Sequence, residues 1–228
     1  MKIGLPVCLI CLVVVSFLRG ADEEGFTPIF NGIDLTGWEG IEAAWAVEDG
    51  AIVCTGRNEE EKNWLIWKGG EPEDFILKLE FKFTSGNSGV QVRSHLAEGK
   101  PPFHVQGYQV EIAESKVMGL WHHSLSPEKY RSHLALAGEE STYAEDGTKT
   151  VESIADGEEL KALCKDGEWN SLEIIAKGPT LTQRINGQVF SILIDEDAKY
   201  RMTKGLIALQ DHGKGTVAAF RNIVLKEI

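Results

Sequence analysis

Two runs in the middle of the chain, Val90-Gln91-Val92-Arg93 and Gly107-Tyr108-Gln109-Val110-Glu111-Ile112, carry polar side chains that two strands would set side by side. Each alternates apolar and polar residues, the period-two pattern of a strand with one buried face. Gln91 and Arg93 then share one face of the first strand, and Gln109 and Glu111 one face of the second. A solvated sheet face usually mixes Thr, Lys, Ser and Glu loosely. Two amides, a guanidinium and a carboxylate together suit the floor of a site that holds a polar ligand. A plainer reading makes Arg93 and Glu111 a cross-strand ion pair that only satisfies the sheet surface.

Other residues compete for a place beside them. Gly205-Leu206-Ile207-Ala208-Leu209-Gln210-Asp211-His212-Gly213 reads as a strand that sets Ala208, Gln210 and His212 on one face. His212 near a strand end is as well explained by a structural hydrogen bond. Met118-Gly119-Leu120-Trp121-His122-His123-Ser124 is aromatic and polar, suited to a loop wall. Trp121 and His122 there would stack on and hydrogen-bond a ligand, or merely pack the loop. Asn87 and Ser88 sit in the turn signal Gly86-Asn87-Ser88-Gly89, which is also a sufficient reason for them. Glu80 lies on the polar face of its strand, where Lys78 and Lys82 flank it as they would a solvated carboxylate. Trp38 and Trp169 suit core or sheet-end packing.

The elements that must position these residues are strands. Phe75, Leu77, Leu79, Phe81 and Phe83 alternate strictly with Ile76, Lys78, Glu80 and Lys82. Asp49-Gly50 between alternating runs, and Asn186-Gly187 after Leu181-Thr182-Gln183-Arg184-Ile185, are strong hairpin signals. Trp64-Leu65-Ile66-Trp67, Trp169 to Ile175 and Phe220 to Leu225 add further strands. Ser126-Pro127-Glu128 is a helix-start signal, so a short helix to about Ala137 is expected. Residues 138–157 are polar and weakly patterned, as in a long functional or mobile connection. Short strands, Gly-marked turns and no internal repeat predict an all-β, two-sheet antiparallel β-sandwich or jelly roll, undivided by any linker.

Composition narrows the function. Lys2 followed by apolar residues 3–15 and small residues at Gly20 and Ala21 reads as a secretory signal peptide over 1–20, with one domain over 21–228. The apolar run is too short to span a bilayer comfortably. An exported protein, periplasmic or extracellular, with no membrane span after cleavage is therefore expected. The formal charge is −12, and loss of Lys2 and Arg19 makes it more negative. So acidic a chain repels phosphate backbones, and nucleic acid is an unsuitable partner. Cys54 and Cys164 remain beyond the leader. They are either a disulfide or, more simply, two free thiols, and their spacing matches no zinc motif. Phosphate loops, a nucleophile elbow and Cys/His catalytic pairs are absent from the sequence.

Phe30-Asn31-Gly32, Leu35-Thr36-Gly37-Trp38, Asp74-Phe75 through Glu80-Phe81 and Gly86-Asn87-Ser88-Gly89-Val90 with Arg93 form a longer pattern. Gly107 to Ile112, Gly167-Glu168-Trp169-Asn170, Ile185-Asn186-Gly187, Ile207-Ala208-Leu209-Gln210 and Phe220-Arg221-Asn222-Ile223 continue it. The pattern resembles the 3-keto-disaccharide hydrolase family, whose fold is similar to concanavalin A-like lectins and glucanases. The match is loose only between Ala113 and Lys165. The resemblance implies a concave sheet that holds a sugar and cleavage of glycosides oxidised at C3.

In such a sugar the ketone acidifies the C2 proton, and the anomeric oxygen lies β to the ketone. A base, an enolate stabiliser and a proton for the leaving group then suffice. The paired carboxylates of ordinary glycosidases are not required, and the Glu-x-Asp-x-x-Glu run of glucanases is missing here. On this reading Glu111 is the base, Arg93 the enolate stabiliser, and His212 the acid or a metal ligand. Gln91, Gln109, Gln210, Trp121, His122, Asn87 and Glu80 would bind substrate. No cofactor is certain; a divalent metal such as calcium, held by Asp211 and His212, stays open. The expected partner is a carbohydrate, and no protein partner is implied. The alternatives are a non-catalytic carbohydrate-binding module of the same fold and a secreted interaction domain.

Overall fold

The computed structural model describes residues 24–55, 62–113, 119–123, 131 and 133–228. The expected signal peptide lies outside these residues. In chain order the first strands are β1 (Thr27–Pro28), β2 (Trp38–Glu39), β3 (Trp45–Glu48), β4 (Ala51–Cys54), β5 (Asn63–Trp67) and β6 (Phe75–Ser85). The middle of the chain forms β7 (Asn87–Leu96), β8 (Val105–Ala113), β9 (Gly119–His123), β10 (His133–Leu136), β11 (Glu139–Tyr143) and β12 (Lys149–Ser153). After the short helix α1 (Gly157–Lys161) come β13 (Trp169–Lys177), β14 (Thr180–Ile185), β15 (Gln188–Asp195), β16 (Leu206–Asp211) and β17 (Val217–Glu227).

These strands make two sheets. One has ten strands in the order β12-β11-β15-β14-β13-β6-β17-β4-β3, with β1 added on β17. The other has seven, in the order β10-β9-β8-β7-β16-β5-β2. Neighbours are antiparallel except β11 with β15. The protein is thus the all-β sandwich that the sequence predicts. In β6 every other residue from Phe75 to Phe83 is buried, and these side chains meet Val90, Val92, Val110, Ile112 and Leu209 from the other sheet in one core. A buried Leu or Phe of this kind contributes roughly 1.5–3 kcal/mol relative to an exposed one. Leu77→Ala would therefore strike both sheets at once.

The two predicted hairpin turns form where expected. Asp49 and Gly50 have φ of 49° and 76°, and Asn186 and Gly187 have 49° and 81°, the left-handed pair that matches strand twist in a two-residue turn. Trp38 is buried and donates its indole N–H to Ile29 O at 2.8 Å. Trp169 is half-buried beneath the Arg221 guanidinium, 3.9 Å from its ring centre. Cys54 and Cys164 are both free thiols. Burial pushes the Cys54 thiol well up and the Cys164 thiol to about 11.

Two expectations are corrected. The helix read through to Ala137 does not extend there, because His133–Leu136 is strand β10, paired with β9. The Ser-Pro-Glu signal itself lies outside the described residues. Four residues are too few to show a period, and the buried Leu134 and Ala135 are placed by the neighbouring strand. Residues 138–157 are not an unstructured connection but chiefly the hairpin β11–β12 at the edge of the larger sheet. Only Ser141 and Tyr143 of β11 are buried, so its alternation was masked by polar residues. Among the described residues, no helix is long and apolar enough to cross a membrane.

Candidate functional site

The outer face of the seven-stranded sheet collects the polar side chains. Register places Gln91 opposite Gln109 and Gly89 opposite Glu111. Across β9, Glu111 faces Gly119 and Gln109 faces Trp121. Val90, Val92, Val110 and Ile112 point the other way, into the core, so alternation fixes which side the polar residues take. Gln210, from β16, completes the set.

These side chains are bonded to one another. Ser94 Oγ donates to Gln91 Oε1 at 2.5 Å, and Gln91 Nε2 donates to Gln109 Oε1 at 3.0 Å. Gln109 Nε2 donates to Glu111 Oε2 at 2.6 Å and to Gln210 Oε1 at 2.9 Å. Gln91, Gln109 and Gln210 are 0% exposed, and Glu111 is 4% exposed. A buried amide is tolerable only when its polar atoms are bonded, since each orphaned group costs about 1–3 kcal/mol. Two glycines make room for the array. A Cβ on Gly89 would stand 2.7 Å from the Gln109 side chain, and one on Gly107 would collide with Ser94.

Beside the array lies an apolar patch of Trp64, Ile66, Val105 and Ala208, with Phe103 and Leu206 packed on it. The 97–104 connection folds over it. Trp64 N–H donates to Phe103 O at 3.1 Å, and the His104 ring meets Trp64 edge-on at 4.6 Å.

The structure brings Gln91, Gln109, Glu111, Gln210 and Trp121 onto this face. Asn87 follows two residues before Gly89 on the same side, at the end of β7. The Trp121 indole N–H is buried with no hydrogen-bond partner among the described residues, and its ring contacts His133 edge-on at 4.1 Å. His212 is half-buried just past the end of β16, two residues beyond Gln210.

Three expected site residues lie elsewhere. Arg93 is not a neighbour of Glu111. The β7–β8 register shifts between Val92 and His95, and Arg93 takes a left-handed φ of 47°. This bulge turns the guanidinium to the rim of the larger sheet. There Nε and Nη2 donate to Glu73 O at 2.9 and 2.8 Å, Nη1 donates to Gly178 O at 2.8 Å, and Nη2 pairs with Asp74 at 3.0 Å. Every arm of the fork is used, so Arg93 is a clasp between sheets. His122 faces the core, because its partner on β8 is Tyr108 rather than Gln109. It is 0% exposed, its ring is 5.4 Å from Tyr108, and neither ring nitrogen has a partner among the described residues. Burial, with Arg131 and His95 adding to it, lowers its pKa to about 3, so the ring is neutral. Glu80 belongs to the other sheet, where it accepts from Arg221 Nε at 2.6 Å and Asn222 Nδ2 at 3.1 Å. A cleft of about 300 Å³ opens beside it, on the far side of the sandwich from Glu111.

Asp211, expected as a calcium ligand, has both carboxylate oxygens in hydrogen bonds to its own chain. Oδ2 accepts from Asn63 Nδ2 at 3.1 Å and Oδ1 from Gly213 N at 3.0 Å. No group of three or more His, Cys, Asp or Glu among the described residues could hold a metal.

Sequence reasoning missed Ser94 and a buried ionic cluster on the core side of β8. In that cluster Arg131 pairs with Asp195 and, at 3.1 Å, with Asp197. The Tyr108 hydroxyl donates to Asp195 Oδ2 at 2.5 Å. No motif marks either. Ser94 reaches Gln91 only because of the bulge at Arg93, and the cluster joins residues far apart in sequence.

The chain resembles a candidate glycosyl hydrolase from Parabacteroides distasonis at 22% identity, over 90% of this chain and 94% of that one, with a TM-score of 0.58. The carbohydrate-binding module CBM66 of Bacillus subtilis shares 13% identity over 83% and 95% of the two chains, at a TM-score of 0.50. A legume lectin-like domain from Entamoeba histolytica shares 13% over 85% and 91%, also at 0.50. Identities this low establish the fold, a lectin-like jelly roll. No curated protein matches the chain by sequence. A sequence profile of the 3-keto-alpha-glucoside-1,2-lyase-like domain matches residues 25–226, nearly all of the described chain, and the protein belongs to that family.

Proposed function

We propose that the protein is an exported enzyme that cleaves 3-keto-glucosides by elimination followed by hydration, with Glu111 as the base. The observation that carries this reading is the place of Glu111 at the centre of the buried amide array, bonded to Gln109. Among the described strand residues, the other carboxylate facing that side is Glu39, which shares a face with Ile66 on the edge strand β2. Four strand spacings separate β8 from β2, roughly 19 Å at about 4.8 Å each, and Glu39 is ion-paired with Lys68 at 2.9 Å. Ordinary glycosidases hold two carboxyls about 5–9.5 Å apart. One carboxylate suits the elimination route, and the family's name describes a 1,2-lyase.

In this mechanism the Glu111 carboxylate takes the C2 proton, and the electron pair moves into the enolate of the C3 ketone. Collapse of the enolate forms the C1–C2 double bond and breaks the C1–O bond. The departing oxygen takes a proton from His212. Water then adds at C1 and a proton returns to C2, so the net change is hydrolysis. Trp121 Nε1–H, buried without a hydrogen-bond partner among the described residues, is the donor to a substrate oxygen in place of Arg93. Incubation with 3-keto-trehalose in deuterated water, followed by mass spectrometry, tests the reading. Product carrying deuterium at C2 supports it; product without that label points to direct displacement and overturns it.

A second reading, a carbohydrate-binding module without catalysis, is favoured by the similarity to CBM66. It requires equal affinity for the unoxidised sugar and no product. Export rests on the Lys2 and apolar 3–15 pattern, and N-terminal sequencing of secreted protein tests it.

A further inference from the structure

We propose that Ser94, Gln91 and Gln109 form a hydrogen-bond relay that positions the Glu111 carboxylate and holds it ionised, with Gln210 bracing Gln109 from the side. This changes the part assigned to the glutamines. They are positioning residues rather than groups that touch the sugar, and the inference rests on Glu111 being the base.

The direction of every bond in the relay follows from its end. A carboxylate only accepts, so Gln109 must turn its Nε2 toward Glu111. Its Oε1 then faces Gln91, which must answer with Nε2. Gln91 is left presenting Oε1, and the Ser94 hydroxyl can donate to it. The observed contacts run in this sense throughout. Gln109 gives both amide hydrogens, one to Glu111 and one to Gln210. Because all three glutamines are fully buried, no water competes for these bonds, and successive amides polarise one another. The 2.6 Å contact at Glu111 is short, as for a bond to a charged acceptor. A ligand-binding floor would leave amide groups at the surface. Here they are turned inward and bonded to each other, and Gly89 and Gly107 give the space that keeps them so.

The relay requires each member to act through the next. Carbon-13 NMR of the Glu111 carboxyl reads this without substrate, its signal being assigned by its absence in Glu111→Gln. In the full-length Gln109→Met chain, the midpoint of that titration should rise by about one pH unit, as loss of one bond to a charged group implies. Gln91→Met and Ser94→Ala should shift it in the same direction by less. In the Gln109→Met background, Gln91→Met should add nothing. With 3-keto-trehalose, Gln109→Met should lower kcat about tenfold, move the acid limb of the pH profile upward and leave KM within about twofold.

An unchanged Glu111 titration in Gln109→Met, or independent additive shifts from the two glutamines, overturns the relay. Should Gln109→Met fail to fold, the Gln91→Met and Ser94→Ala titrations decide the matter. If no variant or wild-type chain turns over 3-keto-trehalose while the titration shifts as stated, the relay stands and the enzymatic reading falls.

Discussion

On the outside of the ten-stranded sheet, Glu80 pairs with Arg221 at 2.6 Å, and Glu173 lies 3.7 Å from both Lys78 and Arg184. These side chains are about a quarter to two-fifths exposed, and each charge finds its opposite on a neighbouring strand. The outer face of the seven-stranded sheet has the same alternation but other contents. Its centre is three neutral amides and one carboxylate, all withdrawn from solvent. Water screens the first set, so each pair contributes little. The second set lacks that screening, and one misplaced polar atom there is expensive. A polar face thus becomes a candidate site through burial and mutual hydrogen bonding around the carboxylate, not through polarity.

The sharpest way to break this contrast is to neutralise the carboxylate of each face. Glu111→Gln should lower turnover of a 3-keto-glucoside by about 10²–10⁴-fold, the usual contribution of a general base, with sugar binding retained by calorimetry. If Glu80→Gln produced a comparable loss, the site would belong to the other sheet.

Next in size is Arg93. Arg93→Met strands the Glu73 and Gly178 carbonyls and should destabilise the fold by about 1–3 kcal/mol for each acceptor left unsatisfied, read in denaturant titration. Arg93→Lys should not rescue it, because an ammonium cannot span two carbonyls and a carboxylate as the planar fork does. A stable Arg93→Met chain with impaired turnover would return Arg93 to the chemistry.

The core side of the same sheet supplies a pH test. His122 titrates near 3 in the folded chain and near 6.5 when unfolded. Between those values the unfolded chain holds the extra proton, so stability is fully present above about 6.5 and falls as pH drops toward 3. The slope from this group approaches about 1.4 kcal/mol per pH unit. His122→Leu should flatten acid unfolding across that window, read by circular dichroism; an unchanged profile would mean that other groups govern it.

The smallest effect should be on stability in Glu80→Gln, within about 1 kcal/mol and fading with added salt. A larger, salt-independent loss would show that the exposed face is less like an ordinary solvated surface than its pairs imply.

How much of this could be read from the chain alone varied with the range of the interaction. Phe75 to Phe83 alternates over nine residues, and Asp49-Gly50 and Asn186-Gly187 carry their turn geometry in their own backbones, so the strands and hairpins were legible. So was the shared face of Gln109 and Glu111 within one strand, because alternation is local. His122 illustrates the limit. Nothing in the local sequence says which way His122 turns; its pairing with Tyr108 of β8 sends it to the core.

By itself, then, the sequence determined the all-β sandwich, its family and the carboxylate at the centre of one polar strand face. Tertiary structure decided the rest. A single bulge at Arg93 reverses the side-chain alternation, sending the guanidinium to the other sheet and bringing Ser94 to Gln91. Sheet order put Glu80 on the far side of the molecule. The physical reason is that local periodicity fixes which residues share a face within one strand, whereas bulges and strand partners are selected by packing and hydrogen bonding between segments distant in the chain.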